Sequence, residues 1–302
     1  MPRFSIVITC HNQREFIADA VQSALSQPYA SKEVIVVDDR STDGSRAILQ
    51  QFESEIVFER SETNLGANRS RNQGAARASG DYIVFLDGDD LLMPRALDVY
   101  DRAIASAAPQ LILGSLYFFK DAIPAVDNEP APSKIDLVEY DSFLQKDRSH
   151  RQSASCIVVE RRAFWRANGW DAGFFPYEDY DLTLRVGYSV KTLQILAPPT
   201  VFYRVHGENA TRDVRSIVGG VYQLIQKERE GGYPGGRRRR FERSAIIGGA
   251  AFGWIRRALA TGCYFELAKL LFNAGPMIAA ACARRVETMV RGRRPVQSID
   301  LA

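Results

Sequence analysis

The sequence has few of the residues on which several protein classes depend. Among its 302 residues there are four cysteines, with no CxxC pair, and three histidines. This argues against a disulfide framework or structural zinc and favours a reducing, cytosolic setting. The longest uncharged apolar run, residues 270–283, is shorter than the roughly 20 residues that cross a bilayer. No secretory cleavage pattern follows the first residues, so we expect no signal peptide.

Charge is distributed unevenly along the chain. Hydrophobic residues make up 46% and charged residues 25%, a globular composition that excludes a disordered or fibrous protein. Residues 1–220 carry 24 Lys or Arg against 30 Asp or Glu, whereas residues 221–302 carry 15 against 6. The net charge of +3 therefore conceals a basic C-terminal part. That part predicts an acidic partner, phospholipid headgroups first and nucleic acid second.

Apolar runs alternate with helical patterns through the first 120 residues. The runs are almost continuously hydrophobic, which is typical of strands covered on both faces in a parallel sheet. The predicted strands are 4–9, 33–37, 56–58, 82–86 and 111–119, and the predicted helices are 16–25, 44–52, 67–78 and 94–106. This order predicts right-handed βαβ units and an α/β fold.

A second αβ block follows a proline-containing stretch, 121–133, which we predict to be a surface loop. Its predicted helices are 137–145, 161–168 and 179–187, and its predicted strands are 156–159, 190–196 and 201–205. A glycine-rich segment, 231–236, is predicted to be a linker to helices near 243–260 and 264–273. We therefore divide the chain into an α/β domain over 1–230 and a basic helical tail over 237–302.

Three acidic clusters are predicted at the C-terminal edge of the sheet, where open α/β sheets bind ligands. They are Asp38-Asp39, Asp87-Gly88-Asp89-Asp90 and Glu178-Asp179. Singly, each has a structural explanation, because acids cap helices, favour helix N-termini and occur in solvated turns. Crowded carboxylates are unfavourable without a cation or donor nearby. Because hard divalent cations bind oxygen ligands, the second cluster predicts Mg²⁺ or Mn²⁺.

Six segments together resemble one known family. They are Ile-Val-Ile-Thr-Cys-His-Asn (6–12), Val-Val-Asp-Asp-Arg-Ser-Thr-Asp-Gly-Ser (36–45), Asn-Leu-Gly-Ala-Asn-Arg-Ser-Arg-Asn (64–72), Phe-Leu-Asp-Gly-Asp-Asp (85–90), Tyr-Glu-Asp-Tyr-Asp-Leu (177–182) and Tyr-Arg-Val-His-Gly-Glu-Asn (203–209). In this order, over roughly residues 3–212, the sequence resembles the family 2 glycosyltransferases. These are nucleotide-sugar-dependent enzymes with the GT-A fold, a Rossmann-like, mixed and mostly parallel sheet with flanking helices.

The resemblance implies a role for each matching residue. Those implied to bind the nucleotide are Thr9, His11, Asp39, Arg71 and Asp87. Those implied to hold Mn²⁺ or Mg²⁺ are Asp89, Asp87 and His206, and the implied catalytic base is Asp179. The resemblance also implies a nucleotide-binding half at 1–120 and an acceptor-binding half at 121–230. The sequence departs from the family at Ile8, where a proline is usual, and at His11, where an aromatic residue is common.

The implied activity is inverting transfer of a sugar from a nucleotide-diphosphate sugar, most often a UDP-sugar, to a hydroxyl group. The acceptor would be a carbohydrate or a lipid-linked molecule in surface polysaccharide or glycoconjugate assembly. Two alternatives stay open: a non-catalytic module that binds sugar nucleotides or polysaccharide, and a sugar nucleotidyltransferase. The intact acidic pairs argue against the first. The absence of glycine from residues 9–14 argues against the second, whose loop there is usually glycine-rich.

The tail combines arginine clusters at 237–240 and 284–285 with apolar stretches that include Trp254 and Phe272. A basic amphipathic helix with tryptophan is typical of a membrane surface, and each Lys or Arg near anionic lipid contributes ~1 kcal/mol. We therefore expect a cytoplasmic protein that binds peripherally to the inner face of the cell membrane. A helical hairpin packed on the domain and a dimer interface are the alternatives. We expect no nucleic-acid partner, because the main body is acidic.

Overall fold

A nine-stranded mixed sheet forms the centre of the molecule in a computed structural model that describes residues 4–124, 132–207 and 213–301. The strands are β1 (Phe4–Cys10), β2 (Lys32–Asp38), β3 (Val57–Arg60), β4 (Tyr82–Asp87), β5 (Leu91–Leu92), β6 (Leu111–Leu113), β7 (Leu116–Phe119), β8 (Lys134–Tyr140), β9 (Ile157–Glu160), β10 (Thr192–Ala197), β11 (Val201–Arg204) and β12 (Gln297–Asp300). The large sheet has the order β12-β8-β10-β6-β9-β4-β1-β2-β3, and β5-β11-β7 form a smaller sheet.

Helices accompany the strands along the chain, so the predicted α/β class is confirmed. The α-helices in the described ranges are α1 (Ile17–Leu25), α2 (Ser45–Leu49), α3 (Ala67–Arg77), α4 (Ala96–Ala107), α5 (Arg161–Arg166), α6 (Glu178–Val186), α7 (Val214–Arg229), α8 (Arg240–Ala260) and α9 (Tyr264–Arg291).

The strands that carry the first two acidic clusters are neighbours. β1 pairs in parallel with β2 on one side and with β4 on the other, so that Cys10 lies opposite Asp38 and Thr9 lies opposite Asp87. Because parallel strands end at the same edge of a sheet, residues separated by nearly 50 positions in sequence arrive at one place.

Alternation along the strands builds two apolar layers. Ile6 and Ile8 of β1 belong to the layer on one face of the sheet, and Val7 belongs to the layer on the other. All seven residues of β1 are buried, as expected for a strand with both faces covered. The sheet edge that holds the acidic clusters therefore rests on a rigid, close-packed support.

The prediction of a helix over 137–145 is wrong. This region forms strand β8, which pairs antiparallel with β10, and a 3₁₀ turn at Phe143–Gln145. Ile135 and Leu137 enter the same apolar layer, which is the two-residue period of a strand. The predicted strand 111–119 is also two strands in different sheets. The chain passes too close to Thr200 and Tyr100 at Gly114 for a side chain to fit there.

The segment predicted to be a linker, 231–236, is packed rather than free. Tyr233 is buried, and its hydroxyl donates a hydrogen bond to Asp181 at 3.0 Å. The carbonyl of Pro234 accepts a hydrogen bond from Arg243 at 2.7 Å. Arg243 is itself buried in an ion pair with Glu228. This segment joins α7 firmly to α8.

The tail is a helical hairpin that packs on the α/β domain. Ile247 and Ala251 of α8, with Leu270 and Ala274 of α9, belong to the same core cluster as residues of α7. After the hairpin, β12 pairs antiparallel with β8 at the edge of the large sheet. The helix predicted at 264–273 is too short, because α9 continues through Pro276 to Arg291. A proline within a helix removes one backbone hydrogen bond, and α9 packs closely against α8 at the next residue, Met277.

Helix α9 satisfies the length and composition criteria of a membrane span. Its most apolar 18 residues have a mean hydropathy of 1.2, and 22% of that stretch is buried. The sequence estimate, which used only the uncharged run 270–283, placed this segment below that length.

Candidate active site

A cleft of about 750 Å³ lies at the C-terminal edge of β1, β2 and β4. Seven of the eight predicted site residues line it: Thr9, His11, Asp39, Arg71, Asp87, Asp89 and Asp179. The eighth, His206, contacts the cleft through Asp89. Side chains from across the first 206 residues therefore share one cavity.

Asp39 organises the side of the cleft that was predicted to bind the nucleotide. Its buried carboxylate accepts hydrogen bonds from the backbone N–H groups of Leu65 and Gly66 at 2.7 and 2.8 Å. His11 is exposed, and its Nδ1 donates to the Asp39 carbonyl oxygen at 2.6 Å. The backbone at Gly66 has φ +82°, a conformation that favours glycine. Asp39 thus fixes the loop that leads into α3 while lining the cavity.

Arg71 joins two of the acidic clusters. Its guanidinium donates to Asp87 Oδ1 at 2.6 Å and to Glu178 Oε1 at 3.2 Å, and it lies 4.9 Å from the centre of the Trp170 ring. Burial lowers the pKa of Arg71, but the two carboxylates outweigh that effect and raise it above its ordinary value. Arg71 is therefore a permanent cation that neutralises charge at the base of the cleft.

The turn after β4 is fixed by Asp90, the acid of the cluster 87–90 that does not line the cleft. Asp90 is buried, and it accepts hydrogen bonds from Ser155 Oγ at 2.6 Å and from the Arg204 backbone N–H at 3.0 Å. Burial, with the adjacent charges of Asp89 and Asp87, raises the pKa of Asp90 well above its usual range. At Gly88 a Cβ atom would collide with Gln13 and with the Thr9 carbonyl oxygen. With the turn packed in this way, the side chains of Asp87 and Asp89 line the cleft.

The site can be tested for its fit to a divalent cation. Asp89 Oδ2 lies 2.8 Å from His206 Nε2, whereas Asp87 is held by Arg71. In the described parts of the chain, no three His, Cys, Asp or Glu side chains are grouped to hold a metal by themselves. Mg²⁺ is usually held by one or two carboxylates together with phosphate oxygens and water. The Asp89 carboxylate with the His206 imidazole fits such a cation when a diphosphate is bound.

Asp179 lies at the start of α6, beside Glu178. Burial is the main cause that raises the pKa of Asp179, to about 7, and the negative charge of Glu178 adds to it. Glu178 is committed to Arg71. Asp181 is fully buried between Arg185 and Lys227, each at 2.7 Å, and does not line the cleft. Among the described acids of this cluster, Asp179 is therefore the one that lines the cleft without an ion pair.

Part of the cleft wall comes from the tail, which the sequence did not predict. Gly249, Gly253, Trp254 and Arg257 of α8 line the cavity. The Trp254 indole N–H donates a hydrogen bond to the Tyr177 hydroxyl, directly beside the acids of α6. In the sequence, Gly249, Gly253 and Trp254 fall on one face of a helix. This pattern is compatible with a packed core as well as with a cavity, so by itself it did not identify the wall of the cleft.

The fold is shared with solved glycosyltransferase structures. One is Staphylococcus aureus TarS 1–349 in complex with UDP-GlcNAc, with a TM-score of 0.65, 15% identity and coverage of 96% of this chain and 92% of that one. Another is the Pyrobaculum calidifontis mannosyltransferase PcManGT in complex with GDP-Man and Mn²⁺, with a TM-score of 0.58, 18% identity and coverage of 97% and 88%. The molecule thus has the predicted GT-A fold.

Sequence comparison places the chain in a family. Residues 5–166 match the model of glycosyl transferase family 2, and the chain belongs to that family.

Two curated relatives extend this comparison. The putative teichuronic acid biosynthesis glycosyltransferase TuaG of Bacillus subtilis is 45% identical over 94 residues, 30% of this chain and 36% of that protein. The poly(ribitol-phosphate) beta-glucosyltransferase of Bacillus spizizenii is 38% identical over 225 residues, 67% of this chain and 35% of that protein. The matches span about a third of the length of these relatives.

Proposed function

We propose that the protein is an inverting glycosyltransferase that moves a sugar from a nucleotide-diphosphate sugar to a hydroxyl acceptor. The observation that carries this proposal is the shared cleft. It joins Asp39 and Asp89 on the predicted nucleotide side to Asp179 on the predicted acceptor side. Membership of glycosyl transferase family 2 supports the same reaction.

In the proposed mechanism, Asp179 accepts the proton of the acceptor hydroxyl as that oxygen attacks the anomeric carbon. Attack from the face opposite the leaving nucleotide, in a single displacement, gives inversion. A positioned base of this kind contributes about 10²–10⁴ in rate. Arg71 keeps Glu178 in an ion pair and so leaves Asp179 as the acid available for this role.

A divalent cation, Mn²⁺ or Mg²⁺, would be held by Asp89 and His206, with Asp87 beside it. When bound, it would stabilise the negative charge that develops on the leaving diphosphate. The chain's own contribution is to hold Asp89 in position through the turn fixed by Asp90. Thr9, His11 and Asp39 would contact the base, as the resemblance implies.

The substrate and setting are proposed from the relatives. A UDP-sugar is the proposed donor, because the solved structure with the higher TM-score of the two described contains UDP-GlcNAc. Assembly of a cell-surface polysaccharide is the proposed pathway, because one relative is named a putative teichuronic acid biosynthesis glycosyltransferase and the other a poly(ribitol-phosphate) beta-glucosyltransferase. The site would then work on the cytoplasmic side, where nucleotide sugars are made.

Donor hydrolysis tests this proposal without knowledge of the acceptor. The protein is incubated with UDP-GlcNAc, UDP-glucose or GDP-mannose, with and without Mn²⁺, and release of the nucleoside diphosphate is measured. We expect slow release with one donor, increased by Mn²⁺ and lost in Asp89→Ala. Donor binding without release in any combination would instead indicate a non-catalytic sugar-nucleotide-binding module.

We also propose that α9 rests on an anionic membrane surface. The exposed positions of α9 between Tyr264 and Ala283 carry only uncharged side chains, with Phe265 77% and Phe272 87% exposed. Exposed arginines follow at 285 and 293, and a third, Arg291, is paired with Glu287. An apolar helix face next to cationic side chains complements an interface of anionic headgroups and acyl chains.

Vesicle sedimentation tests the membrane proposal. We expect binding to phosphatidylcholine vesicles that contain phosphatidylglycerol, and weaker binding to phosphatidylcholine alone. Phe265→Ser with Phe272→Ser should abolish binding, whereas Val57→Ser, which changes an exposed valine on β3, should not. Equal binding by both variants would exclude α9 as the docking surface.

A further inference from the structure

Two exposed arginines in the cleft are each held over an aromatic ring. Arg151, between β8 and β9, has its guanidinium carbon 4.8 Å from the centre of the Phe118 ring. Arg257, on α8, lies 5.2 Å from the centre of the Trp254 ring. All four side chains line the cleft. Stacking on a ring orients a guanidinium plane and reduces the freedom that it loses when it binds a ligand.

Within the described ranges of the chain, the charges of these two arginines are not paired with acids. The acids of the cleft have other partners, since Asp87 and Glu178 share Arg71 and Asp39 accepts two backbone N–H groups. Neither Arg151 nor Arg257 forms an ion pair with a carboxylate in the portion of the chain described. The cleft therefore presents two cations to whatever fills it.

The position of Arg257 relates it to the acceptor rather than to the nucleotide. Trp254, beneath Arg257, donates a hydrogen bond to Tyr177, and Tyr177 directly precedes Glu178 and Asp179 in sequence. Asp39 and His11, which are predicted to bind the base, lie at the ends of β2 and β1. Arg257 is thus on the wall next to the proposed catalytic base.

We propose that Arg151 and Arg257 form a subsite for an anionic group, a phosphate or a carboxylate, carried by the acceptor. Guanidinium groups bind both anions with paired, charge-assisted hydrogen bonds. The rings of Phe118 and Trp254 supply apolar faces beside them, against which a sugar or polyol chain can pack. This inference rests on the proposed function, because it takes the wall beside Asp179 to be the acceptor side.

Binding to matched charged and neutral probes tests the subsite. The carboxylate probe is hexagalacturonate, and its neutral counterpart is the fully methyl-esterified hexamer. The phosphate probe is oligo(glycerol phosphate), and its neutral counterpart is oligoglycerol. Dissociation constants are measured by calorimetry at fixed ionic strength. We expect at least one charged probe to bind more tightly than its counterpart, and the preferred pair distinguishes carboxylate from phosphate.

Variants then locate the binding. Arg151→Gln and Arg257→Gln should each weaken binding of the charged probe about two- to fivefold, as expected for exposed charge pairs. The control is Arg162→Gln, because Arg162 is an exposed arginine on α5 that does not line the cleft. It should leave binding unchanged.

Three outcomes would overturn the subsite. They are equal binding of charged and neutral probes, no binding of any charged probe, and an effect of Arg162→Gln as large as that of the two cleft variants. Donor hydrolysis is measured separately. Loss of hydrolysis with intact binding of anionic probes would refute the transferase proposal and leave the anion subsite standing.

Discussion

Arg71 and Asp179 have different surroundings in the cleft. Arg71 is buried and pairs with Asp87 and Glu178, so each of those acids is held at a fixed place. Removing one partner of a buried pair typically costs about 3–5 kcal/mol, because the other charge is left uncompensated. Asp179 forms no ion pair with the residues that the structure describes, and its carboxylate accepts the Tyr180 backbone N–H at 2.8 Å.

Asp179→Asn should abolish most turnover while the protein still binds nucleotide. The amide keeps the size of the side chain and cannot accept the proton, so we expect kcat to fall by about 10²–10⁴. The dissociation constant for UDP should change little, because Asp39 and Asp89 are untouched. Steady-state kinetics and calorimetry check this, with Asp81→Asn, an exposed acid outside the cleft, as the control. Wild-type turnover in Asp179→Asn would remove this residue from the mechanism.

The pH dependence of rate follows from the same carboxyl group. Burial and Glu178 raise the pKa of Asp179 to about 7, and a base must be unprotonated to act. We expect kcat to fall about tenfold per pH unit below pH 7 and to level off above it. A profile that stays flat down to about pH 5 would contradict this assignment.

Stability should respond to the same group with a defined sign. The folded protein keeps a proton on Asp179 up to about pH 7, whereas the unfolded chain releases it near pH 4. The folded state therefore binds more protons in that window, so the contribution of this group to stability is lost as pH rises from about 4 to 7. Urea unfolding measures this effect. As pH rises from about 4 to 7, the free energy of unfolding of wild type should fall relative to that of Asp179→Asn.

At the scale of elements, the hairpin α8–α9 depends on a close backbone approach. A Cβ atom at Gly248 would overlap the Met277 backbone carbonyl, whereas a Cβ atom at Gly275 would meet open space. Pro276 adjoins that contact. The glycine on α8 therefore permits the spacing at which the two helices bury Ile247 and Ala274.

Gly248→Ala should destabilise the protein, and Gly275→Ala should not. Forcing the helices apart costs typically 1–3 kcal/mol, whereas alanine at an open helical position gains up to about 1 kcal/mol of helix propensity. Thermal unfolding of both variants beside wild type measures the contrast. Equal shifts of the two midpoints would show that the helices do not meet at this point.

The elements that the sequence predicts correctly are those whose apolar pattern is determined by local burial. β1 and β4 are continuous apolar runs because both faces of the sheet are covered. In contrast, the spacing of Leu137, Phe143 and Leu144 resembles that of a helix, although β8 and a 3₁₀ turn bury these residues. The hydrogen-bond partners of Asp39 could not be predicted either. They are backbone N–H groups, which every residue except proline has. The sequence identifies the candidate acids of the site, whereas tertiary contacts determine the position and the partners of each one.

At the scale of the whole molecule, the tail and the α/β domain share one core. Ile247, Ala251 and Leu270 are buried with residues of α6 and α7, and Trp254 contributes to the cleft. The basic surface predicted from composition and the buried face of the hairpin are therefore two sides of the same helices. The proposed boundary near residue 237 separates charge composition rather than packing.

A chain that ends at residue 236 should fail to fold cooperatively. It loses the apolar side chains of α8 and α9 that cover α7, and exposed core surface promotes aggregation. A chain that ends at residue 291 keeps the hairpin and should unfold with a single transition, although it loses the edge strand β12 and the ion pair of Arg294 with Asp141. Circular dichroism during heating distinguishes them. A sharp transition in the shorter chain would establish the tail as an independent unit.

The two glycines that α8 presents to the cleft bear on how the protein can be engineered. A side chain at Gly249 or Gly253 would enter empty space without displacing backbone, although both positions border the cavity. Larger residues at these two positions would reduce the volume of the cleft and leave the polar groups of the opposite wall in place. Graded substitution at these two sites is thus a route to variants whose cleft admits only smaller molecules.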